Sequence, residues 1–455
     1  MKVPLRLPKE RVRRLNLSDV KDRKYVVYWM QSSHRTECNM ALGYAISWAN
    51  KLDKPLIVFF GLTHGFKEAN LRHYTFMLEG LREVKAQLEE IGVKLAIRHE
   101  SPELGVVTLS KDACLTITDK GYLKMLKRWY SFAAANLTCP LVQVEDNVVV
   151  PVETASIKEE YSASTLRPKI QKQRKSFLHA PKQHEPKKSS LDLKYDSINL
   201  ENVDTVVSAL HIEKSVGKAM GFQGGSSQAI KRLTDFLKNK LVAFPDLRND
   251  PTVDFTSDLS AYLHFGQISP VKIALKVLTA EAPVEAKEAY LEELVVRREL
   301  AMNYVYFNEN YDSFTGLPNW AKLTLNKHKA DSREYLYNLE ELEQAQTHDP
   351  YWNAAENQMR TTGKMHGYMR MYWGKKILEW SKTPQDAFKV ALYLNDKYEL
   401  DGRDPNGFTG VAWCFGKHDR PWKERPVFGT VRYMNTNGLR RKFDADKYVE
   451  KIKNL

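Results

Sequence analysis

Cysteine is scarce in this chain, and the spacing of its cysteines excludes two common uses of the residue. Only four occur among 455 residues, at Cys38, Cys114, Cys139 and Cys414, and no two of them form a C-x-x-C pair. This spacing provides neither a disulfide framework nor a zinc site. It predicts reduced thiols, as in proteins of the cytosol.

Long apolar runs are missing as well. No stretch approaches the roughly 18–20 consecutive apolar residues that a membrane-spanning helix needs. The first residues, MKVPLRLPKERVRRLNL, are basic, but Pro, Lys and Glu stand where a signal peptide requires an apolar core. We therefore expect no membrane partner and a cytoplasmic location, beside the nucleoid in a prokaryote or in the nucleus of a eukaryote.

The common catalytic and phosphate-binding motifs are absent too. The sequence contains no G-x-G-x-x-G or G-K-[ST] loop, no G-x-S-x-G and no H-E-x-x-H, and its 12 histidines are scattered. These absences exclude the usual nucleotide loops, the serine-hydrolase elbow and the zinc-protease helix. We expect no metal site.

The chain is instead rich in positive charge and aromatic side chains. Its formal net charge is +13, its sequence pI is about 9.2, and aromatic residues make up 11% of it. This balance favours a polyanionic partner, and composition alone leaves both nucleic acid and an acidic membrane open. The hydrophobic fraction of 43% and the length predict two to four domains with substantial cores.

The order of the apolar patterns predicts an α/β domain followed by an all-α domain. Short apolar runs at 24–30, 55–60, 93–98 and 114–118 are typical of buried strands, and segments of helical length separate the first three. Gly92 stands where a helix C-cap belongs. Strands alternating with helices indicate a mostly parallel, Rossmann-like sheet.

The later part of the chain has a different character, which gives the predicted domain limits. Beyond about residue 212 the periodic apolar residues are typical of helices. The stretch before it is basic and contains Pro and Ser, as in an exposed linker with at most one helix. We predict a basic N-terminal arm, an α/β domain, a linker and an all-α domain at residues 1–22, 23–154, 155–211 and 212–455.

Two polar segments of the helical region each have a structural and a functional interpretation. Thr256, Ser257 and Ser260, with Asp258 among them, precede an apolar run, as at a helix N-cap. The same hydroxyls suit an anion site, because free backbone N–H groups and the helix dipole favour a phosphate there. Farther on, Glu293 begins a charged cluster that forms either surface ion pairs or a site with a buried carboxylate beside a substrate.

Two further segments combine polar turns with aromatic residues. LNDKYELDGRDPNGF, at 394–408, forms either a turn-rich loop or a polar wrapping around a heterocycle. A second group of residues consists of tryptophans mixed with arginines, at Trp352, Trp373, Trp380, Trp413 and Trp422. Either these tryptophans pack in a helical core with arginines at its rim, or they stack on an unpaired base beside its phosphates.

Taken together, five segments resemble the signature segments of class II cyclobutane pyrimidine dimer DNA photolyases, within the photolyase/cryptochrome family. They are TSDLSAYLHFGQIS, VVRRELAMNY, HDPYWNAAENQMRTTGKMHGYMRMYWGKKILEW, LNDKYELDGRDPNGF and ERPVFGTVRYMN, in the family's order, and they cover most of residues 244–435. The N-terminal pattern agrees with the family's α/β antenna domain. The chain departs from the family at Ala261, which is often Pro there, and at Met302, which is often Asp.

The resemblance implies a DNA repair enzyme, a carbon–carbon lyase that uses light. Fully reduced FAD, held in the all-α domain, would pass an electron to a flipped-out pyrimidine dimer, which then splits. The hydroxyl groups around residue 256 would hold the FAD phosphates, Asn395 would face the isoalloxazine ring, and Arg370 would pair with Asp401. The implied cofactor-binding residues are Thr256, Ser257, Asp258, Leu259, Ser260, Arg370, Asn395, Asp401 and Gly402.

It also implies the residues that meet the substrate, which is UV-damaged DNA containing pyrimidine dimers. Glu293 would hydrogen-bond the dimer, and Met371 and Trp413 would pack against it. Arg248 and Arg420 would grip the lesion strand. Together with Asn395 and the tryptophan route below, Glu293 and Met371 form the implied catalytic set, and we expect the enzyme to be a monomer.

Trp373 and Trp380 are seven residues apart, so in a helix they lie near one face, about 10 Å apart along the axis. The resemblance implies that they and Trp352 pass an electron from the surface to the photoexcited flavin, with Tyr372 and Tyr337 extending the route. The α/β domain would hold an 8-hydroxy-deazaflavin or a folate as antenna, or neither, and we favour the deazaflavin.

Three alternatives stay open. One is a cryptochrome-like flavin photoreceptor without repair activity, against which the family residue types at Glu293, Met371 and Trp413 argue. Another is repair of (6-4) photoproducts, which in that branch depends on active-site histidines not evident here. The third is a helical nucleic-acid-binding protein without a cofactor, which a flavin absorption spectrum would exclude.

Overall fold

The computed structural model describes residues 7–182 and 184–455, and within this part of the chain the first unit is an α/β domain built on one sheet. Its six strands are β1 Val12–Arg14, β2 Tyr25–Trp29, β3 Leu56–Leu62, β4 Lys94–His99, β5 Ala113–Asp119 and β6 Leu141–Val144. They lie in the order β1-β6-β5-β2-β3-β4, and every neighbouring pair is parallel except β1 with β6. The predicted parallel sheet is confirmed, and β2 to β5 match the four predicted runs.

Helices cover both faces of this sheet, which is why its central strands are apolar throughout. They are α1 Met40–Leu52, α2 Leu71–Glu90, α3 Pro102–Leu109, α4 Lys124–Asn136 and α5 Val152–Ala155. All residues of β2 are buried: Val26 and Tyr28 pack with α1 and α2, and Val27 and Trp29 pack with α3 and α4. The predicted cap at Gly92 is also present, since this residue follows α2 with a φ of +75°.

Strand β1 lies in the segment predicted as a basic arm, of which residues 1–6 fall outside the described part. Three residues are too few to show a strand pattern in a sequence, and two of these three are arginines. Just before β1, the buried Arg11 guanidinium donates to the carbonyl oxygens of Glu145 (2.8 Å) and Val148 (3.1 Å). The positive charge of Arg11 is therefore buried in the domain, where carbonyl oxygens stabilise it.

The segment predicted as a linker contains α6 Ala163–Phe177 and α7 Val203–Ala209. Between them the chain follows the outer edge of β4. There the Ile198 amide donates to the Ile97 carbonyl (2.7 Å), and the Lys94 amide donates to the Ser190 hydroxyl (2.8 Å). Covering an edge strand in this way removes a row of free hydrogen-bonding groups. The domain limits themselves stay a prediction.

The rest of the described chain, from residue 226, is helical, as predicted. Side-chain caps fix the starts of some of these helices; for example, Asp349 accepts from the Tyr351 amide (2.9 Å) and Asp404 from the Asn406 amide (2.8 Å). None of the described helices is both long and apolar enough to cross a membrane. The helices are α8 Ser226–Asp235, α9 Phe244–Leu247, α10 Ser260–His264, α11 Pro270–Thr279, α12 Val284–Leu291, α13 Arg298–Phe307, α14 Asn319–Lys327, α15 Leu339–Glu343, α16 Pro350–Thr362, α17 Gly367–Trp380, α18 Pro384–Tyr398, α19 Pro405–Cys414, α20 Thr436–Arg440 and α21 Ala445–Lys453.

Buried polar groups hold the two domains against each other. Arg72, on α2, donates to the carbonyl of Met359 in α16 (3.1 Å), and burial lowers the pKa of Arg72 to about 10. The helical domain also supplies a buried side chain to this contact: the Glu299 carboxyl of α13 accepts from the Val150 amide of the α/β domain (3.2 Å). Burial raises the pKa of Glu299 to about 8. The helical domain is thus positioned by paired groups whose separation would leave them unsatisfied.

Candidate functional site

A cluster of cations and hydroxyls forms just before α10. The Thr256 hydroxyl donates to Asp258 Oδ1 (2.9 Å), and Lys364 Nζ pairs with the same carboxylate and donates to Thr256 Oγ1 (3.2 Å). Arg232 NH1 lies 3.7 Å from the second carboxylate oxygen. Burial lowers the pKa of Lys364 to about 8, so a further negative charge beside it would favour its charged form.

The N-cap interpretation of this segment is wrong. Helix α10 begins at Ser260, its N-cap position is occupied by Leu259, and no described side chain caps it. Asp258 instead has a φ of +53°, which is unusual for a residue other than glycine, and its pairing with Lys364 holds it there. The Ser257 hydroxyl accepts from Tyr290 (3.0 Å). The hydroxyls therefore remain outside the helix hydrogen-bond pattern.

Arg370, on α17, is the centre of a second charged cluster. Its NH2 lies 2.9 Å from Glu399 Oε1 and 3.6 Å from Asp401 Oδ1. The pair with Asp401 implied by the resemblance is present, but Glu399 is the closer partner. Burial raises the pKa of Glu399 to about 7 and Asp401 adds to the rise, while the charge of Arg370 opposes it.

Several buried polar atoms of this region lack a hydrogen-bond partner within the described residues. They include Arg370 Nε, Glu399 Oε2 and Arg248 Nε. Leaving such an atom unpaired costs roughly 1–3 kcal/mol, and more when the group is charged. The site therefore fits a polar ligand that supplies the missing donors and acceptors.

Helices α18 and α19 meet around Asn395, which is buried. Its Nδ2 donates to Asp396 Oδ1 (3.0 Å), and a Cβ atom on Gly407 would lie only 2.9 Å from that nitrogen. Gly402 is equally confined, since a Cβ there would lie 2.7 Å from the Asp396 carbonyl oxygen. Close backbone approach thus fixes the Asn395 amide and the turn that carries Asp401.

The predicted substrate residues Arg248 and Glu293 are brought together. Glu293 lies in a π-helical turn, Glu292–Arg297, that joins α12 to α13. Such turns are frequent at functional sites, because the extra residue reorients the side chains around it. Arg248 NH1 lies 2.5 Å from Glu293 Oε1, and their side chains are 30% and 42% exposed. This pair is therefore accessible to a ligand from solvent.

Two other predicted substrate residues lie on adjacent helices. Trp413, on α19, is partly buried, and the Arg297 guanidinium stands 5.6 Å above its ring. Met371, on α17, places its Sδ 3.9 Å from the Cys414 Sγ of α19. The packing of α17 on α19 therefore sets the relative position of Met371 and Trp413.

Arg420 belongs to a separate exposed group rather than to this cluster. Its guanidinium lies 5.9 Å from the ring of Trp422, which is 45% exposed, and Arg432 lies 5.1 Å from the same ring. Close by in sequence, Arg425 stands 4.1 Å above Tyr433. An exposed aromatic ring with two arginines close to it suits a nucleotide base beside its phosphates.

Trp352, Trp373 and Trp380 are packed in the core, each no more than 2% exposed, so they cannot stack on a base. Trp373 and Trp380 both lie on α17, so the prediction that they share one helix is confirmed. The rings of Trp352 and Trp380 are 5.7 Å apart, and the Trp352 indole donates to the Trp373 carbonyl (3.0 Å). The Trp373 indole donates to Glu356 (2.7 Å), and Tyr337 lies 5.4 Å from Trp380. The three tryptophans form a continuous series that leads outward to Tyr337.

A cavity of about 140 Å³ lies at the carboxyl ends of β2, β3 and β5, between the two domains. Strands β2 and β5 are neighbours whose connections leave on opposite sides, and ligands of parallel sheets bind at such switch points. The lining is mostly apolar, with Phe60, Trp129 and Phe265 among its rings, and it includes Met302. Such a lining suits a flat aromatic molecule.

Sequence analysis did not identify Lys364, Arg232 and Glu399, which complete the two charged clusters. Each of their contacts joins positions more than 25 residues apart in the chain. A signal was available only for Glu399, which stands two residues before Asp401 in the same turn.

Comparison with known proteins gives matches over most of the chain. A family model described as DNA photolyase matches residues 26–187. The deoxyribodipyrimidine photo-lyase of Methanothermobacter thermautotrophicus is 53% identical over 448 residues, covering 98% of each chain. The enzyme of that name from Arabidopsis thaliana is 39% identical and covers 94% of this chain and 89% of its own. That from Potorous tridactylus is also 39% identical, covering 94% and 81%.

Solved structures share the fold at much lower identity. A class III photolyase from Agrobacterium tumefaciens superposes with a TM-score of 0.72 at 17% identity, covering 95% of this chain and 87% of its own. A cryptochrome from Synechocystis sp. PCC6803 gives 0.73 at 16% identity, with coverages of 95% and 89%. An archaeal photolyase from Sulfolobus tokodaii, whose crystal structure contains two FAD molecules, gives 0.70 at 16%, covering 94% and 89%. These likenesses concern the fold alone.

Proposed function

Because this chain belongs to the DNA photolyase family, we propose that it repairs cyclobutane pyrimidine dimers in DNA with light, as a class II enzyme that uses FAD. It is an enzyme of the deoxyribodipyrimidine photo-lyase type. The observation that carries the proposal is the arrangement of the helical domain. A region of unpaired buried polar atoms is centred on Arg370 of α17, the helix that also carries Met371, and α17 packs against α19, which carries Trp413.

The two charged clusters fit two parts of FAD, its pyrophosphate and its isoalloxazine ring. Lys364 and Arg232 would neutralise the phosphates, while Thr256 and Ser257 offer hydroxyl groups to the phosphate oxygens. The role of Asp258 would be to hold Lys364 in place. Bound FAD, when fully reduced, supplies a single electron on absorbing light.

At the ring end, the chain would supply fixed polar groups. Arg370 and Asp401 would meet the edge of the isoalloxazine, and the Asn395 amide would face the ring and set which protonation state is favoured. Glu399 would neutralise Arg370 and keep its guanidinium in one orientation. Pre-organised groups of this kind need no rearrangement when charge moves.

The substrate side would receive a flipped-out dimer. A dimer weakens its own base pairing, so it leaves the stack at a lower cost than normal bases. Glu293 would hydrogen-bond a base edge, while Arg248 would turn from this carboxylate to the lesion strand. Trp413 and Met371 would form the apolar wall of the pocket and exclude water.

The exposed group around Trp422 would meet the DNA outside the pocket. Arg420 and Arg432, which both lie against this ring, would contact phosphates, and the net charge of +13 would favour association with DNA. Such contacts are independent of sequence, as required of an enzyme that recognises a lesion rather than a base order.

Two further elements would serve light capture and the redox state of the cofactor. Trp373, Trp352 and Trp380 would carry an electron inward from the surface. Part of a planar antenna chromophore would enter the mostly apolar cavity at the strand ends, and we favour a deazaflavin over a folate.

The experiment that tests this function compares two lesions. Reduced protein is illuminated with oligonucleotides that carry either one cyclobutane dimer or one (6-4) photoproduct, and restored bases are quantified. We expect restoration of the cyclobutane dimer alone. Restoration of the (6-4) product would contradict the lesion class, and restoration of neither would favour a photoreceptor without repair activity.

A further inference from the structure

The exposed Trp422 lies on a hairpin at residues 422–430, which backbone hydrogen bonds close. The Trp422 amide donates to the Thr430 carbonyl (2.8 Å). Nearer the tip, the Arg425 amide donates to the Gly429 carbonyl (2.9 Å), and the Gly429 amide donates back (2.8 Å). The apolar residues of the tip are buried, whereas Trp422 is 45% exposed. The tip therefore anchors the hairpin in the protein, and the Trp422 end faces solvent.

The tip of the hairpin has an unusual backbone conformation that α14 and the loop after it stabilise. Val427 has a φ of +65°, which is rare for a β-branched residue. Its amide donates to Asp331 Oδ2 (2.8 Å), a carboxylate in the loop that follows α14. Beside it, the Thr430 amide donates to the Thr324 hydroxyl of α14 (2.9 Å). The conformation of the hairpin thus depends on the C-terminal end of α14.

His328 directly follows α14, and its imidazole lies between two carboxylates. Nδ1 lies 2.6 Å from Asp331 Oδ2, and Nε2 lies 2.8 Å from Glu424 Oε1. Glu424 belongs to the hairpin itself, and Asp331 holds its tip. A Cβ atom on Gly429 would lie only 2.9 Å from His328 Cδ2, so the hairpin backbone passes close to the imidazole. His328 therefore contacts the hairpin through both its backbone and a side chain.

These contacts assign the charge of His328. A carboxylate offers only acceptor atoms, so an imidazole that bonds to two carboxylates must donate from both nitrogens. It can do so only when it is protonated. The hydrogen bonds to Glu424 and Asp331 raise the pKa of His328 above its ordinary value of 6.5. The end of α14 acts in the same direction, because a helix dipole favours positive charge at the C-terminus.

Two other charged groups complete the surroundings of His328. Lys327 Nζ lies 2.7 Å from the same Glu424 oxygen, and the Arg333 guanidinium donates to the Asp331 carbonyl (2.8 Å). Within the described part of the chain, only His328 bonds to both carboxylates. When the imidazole loses its proton, one carboxylate faces a nitrogen without hydrogen. One of the two bonds is then lost, and the hairpin is held less firmly.

We infer that protonated His328 is a positioning residue for DNA binding, which holds the 422–430 hairpin so that Trp422 and its neighbouring arginines are presented to DNA. This inference rests on the proposed function, in which that exposed group meets the DNA outside the pocket. By reciprocity, binding of DNA favours uptake of the proton. Glu293 and Met371 lie on other elements, so repair of a dimer that is already bound should not depend on His328.

The test measures the affinity of the holoprotein for a dimer-containing oligonucleotide in the dark, between about pH 5 and pH 9, a range that brackets the titration of histidine. We expect log Kd to rise with pH more steeply for the native protein than for His328→Gln, by at most about one log unit per pH unit, because one proton is linked. Lys327→Gln, which removes the neighbouring cation, is the matched control and should keep the native slope. At saturating DNA, His328→Gln should keep the native repair yield per absorbed photon.

A second variant distinguishes positioning from simple electrostatic attraction. Glu424→Ala removes a negative charge, so attraction alone would make DNA bind more tightly. Loss of the contact with His328 should instead weaken binding and flatten its pH dependence, and this is the result that we expect. Tighter binding by Glu424→Ala would overturn the inference, as would a native pH slope or a reduced repair yield at saturating DNA in His328→Gln.

Nuclear magnetic resonance of the native holoprotein tests the charge of His328 without any variant. The ¹⁵N resonances of its imidazole should show both nitrogens protonated at pH 6.5, with a titration midpoint above this value that Glu424→Ala lowers. An imidazole that is already neutral at pH 6.5 would overturn the inference alone. Failure of the native holoprotein to bind dimer-containing DNA at every pH would overturn the proposed function and the inference with it.

Discussion

At the scale of single residues, opposite charges in this site are balanced before any ligand arrives. Lys364 is paired with Asp258, Arg370 with Glu399, and Arg248 with Glu293. The charged groups of a buried pair have already lost their hydration when the protein folds. Binding of a ligand beside such a pair therefore does not add the cost of removing these groups from water. The Arg248–Glu293 pair differs, because it is partly exposed to solvent and its arginine is accessible to a ligand.

The first prediction concerns Arg248. Replacing it by Ala would remove the proposed phosphate contact and leave the Glu293 carboxylate without its arginine partner. We expect dimer-containing DNA to bind more weakly by about 1–3 kcal/mol, with the slope of log affinity against log salt reduced by about 1. Titrations at several salt concentrations would measure both quantities. Arg174→Ala, which breaks the pair between Arg174 of α6 and Glu288 of α12, is the control and should leave both quantities unchanged.

The second prediction concerns Trp373. Trp373→Phe keeps an aromatic ring in the core but removes an easily oxidised indole and its hydrogen bond to Glu356. Photoreduction of oxidised flavin should collapse, while repair by chemically reduced enzyme should persist. Flavin bleaching measures photoreduction and dimer repair measures catalysis, so both assays on one preparation would distinguish the two effects. Loss of both would mean that Trp373 is structural, and Trp48→Phe in the α/β domain should affect neither.

At the scale of elements, α17 connects the parts of the site. One helix, Gly367–Trp380, carries Arg370 towards the second charged cluster, Met371 towards α19, and Trp373 and Trp380 into the tryptophan series. Its position depends on close packing against α19. A Cβ atom at Gly374 would lie 2.5 Å from the Cys414 Sγ and 3.1 Å from its Cβ.

The third prediction therefore concerns Gly374→Ala. Alanine favours a helix interior over glycine by about 1 kcal/mol, but overpacking a core costs roughly 1–3 kcal/mol, so destabilisation should win. Thermal unfolding would show a lower Tm. Gly367→Ala, on the same helix, meets no atom within 4 Å and should not lower it. Adding Cys414→Ala should partly restore the stability of Gly374→Ala. If Gly374→Ala and Gly367→Ala have the same Tm, and Cys414→Ala restores nothing, this contact does not position α17.

Particular elements explain what the sequence could and could not predict. Strands β2 to β5 were predictable because parallel strands covered on both faces are continuously apolar. Strand β1 was not, since Val12–Arg14 is short and charged and is held by pairing with β6. The residues of α17 could be placed on one helix, but Lys364 and Glu399 gain their partners only through the tertiary fold. The apparent N-cap at Ser257–Ser260 failed because Asp258 pairs with Lys364 instead.

At the scale of the whole molecule, the contact between the domains joins the cofactor region to the sheet. Glu299, at the start of α13, accepts from the Val150 amide after β6, and Arg298 donates to the Asn147 carbonyl (2.7 Å). Helix α13 also follows the π-helical turn of Glu293. Any loosening of this contact would therefore reach the substrate side.

The fourth prediction follows from the pKa of Glu299. Burial raises it from 4.5 to about 8, so between these pH values the folded protein keeps a proton that the unfolded chain releases. The free energy of unfolding should therefore fall as pH rises through this window, by at most about 1.4 kcal/mol per pH unit from this group. Glu299→Gln removes that contribution.

Thermal unfolding of the two proteins across this pH range would measure the difference. The Tm of the native chain should fall more steeply than that of Glu299→Gln, and the exposed Glu309→Gln variant should follow the native chain. Parallel curves for the native chain and Glu299→Gln would show that Glu299 ionises in the folded protein as it does in the unfolded chain.

The central claim is that this molecule converts absorbed light into the splitting of a pyrimidine dimer. The most direct measurement follows one cyclobutane dimer in an oligonucleotide, mixed with the reduced protein, in matched illuminated and dark samples. The account predicts restored thymines in the light, with a yield that follows the absorption of the reduced flavin across wavelengths, and none in the dark. Equal restoration in the dark, or no restoration in the light, would contradict it.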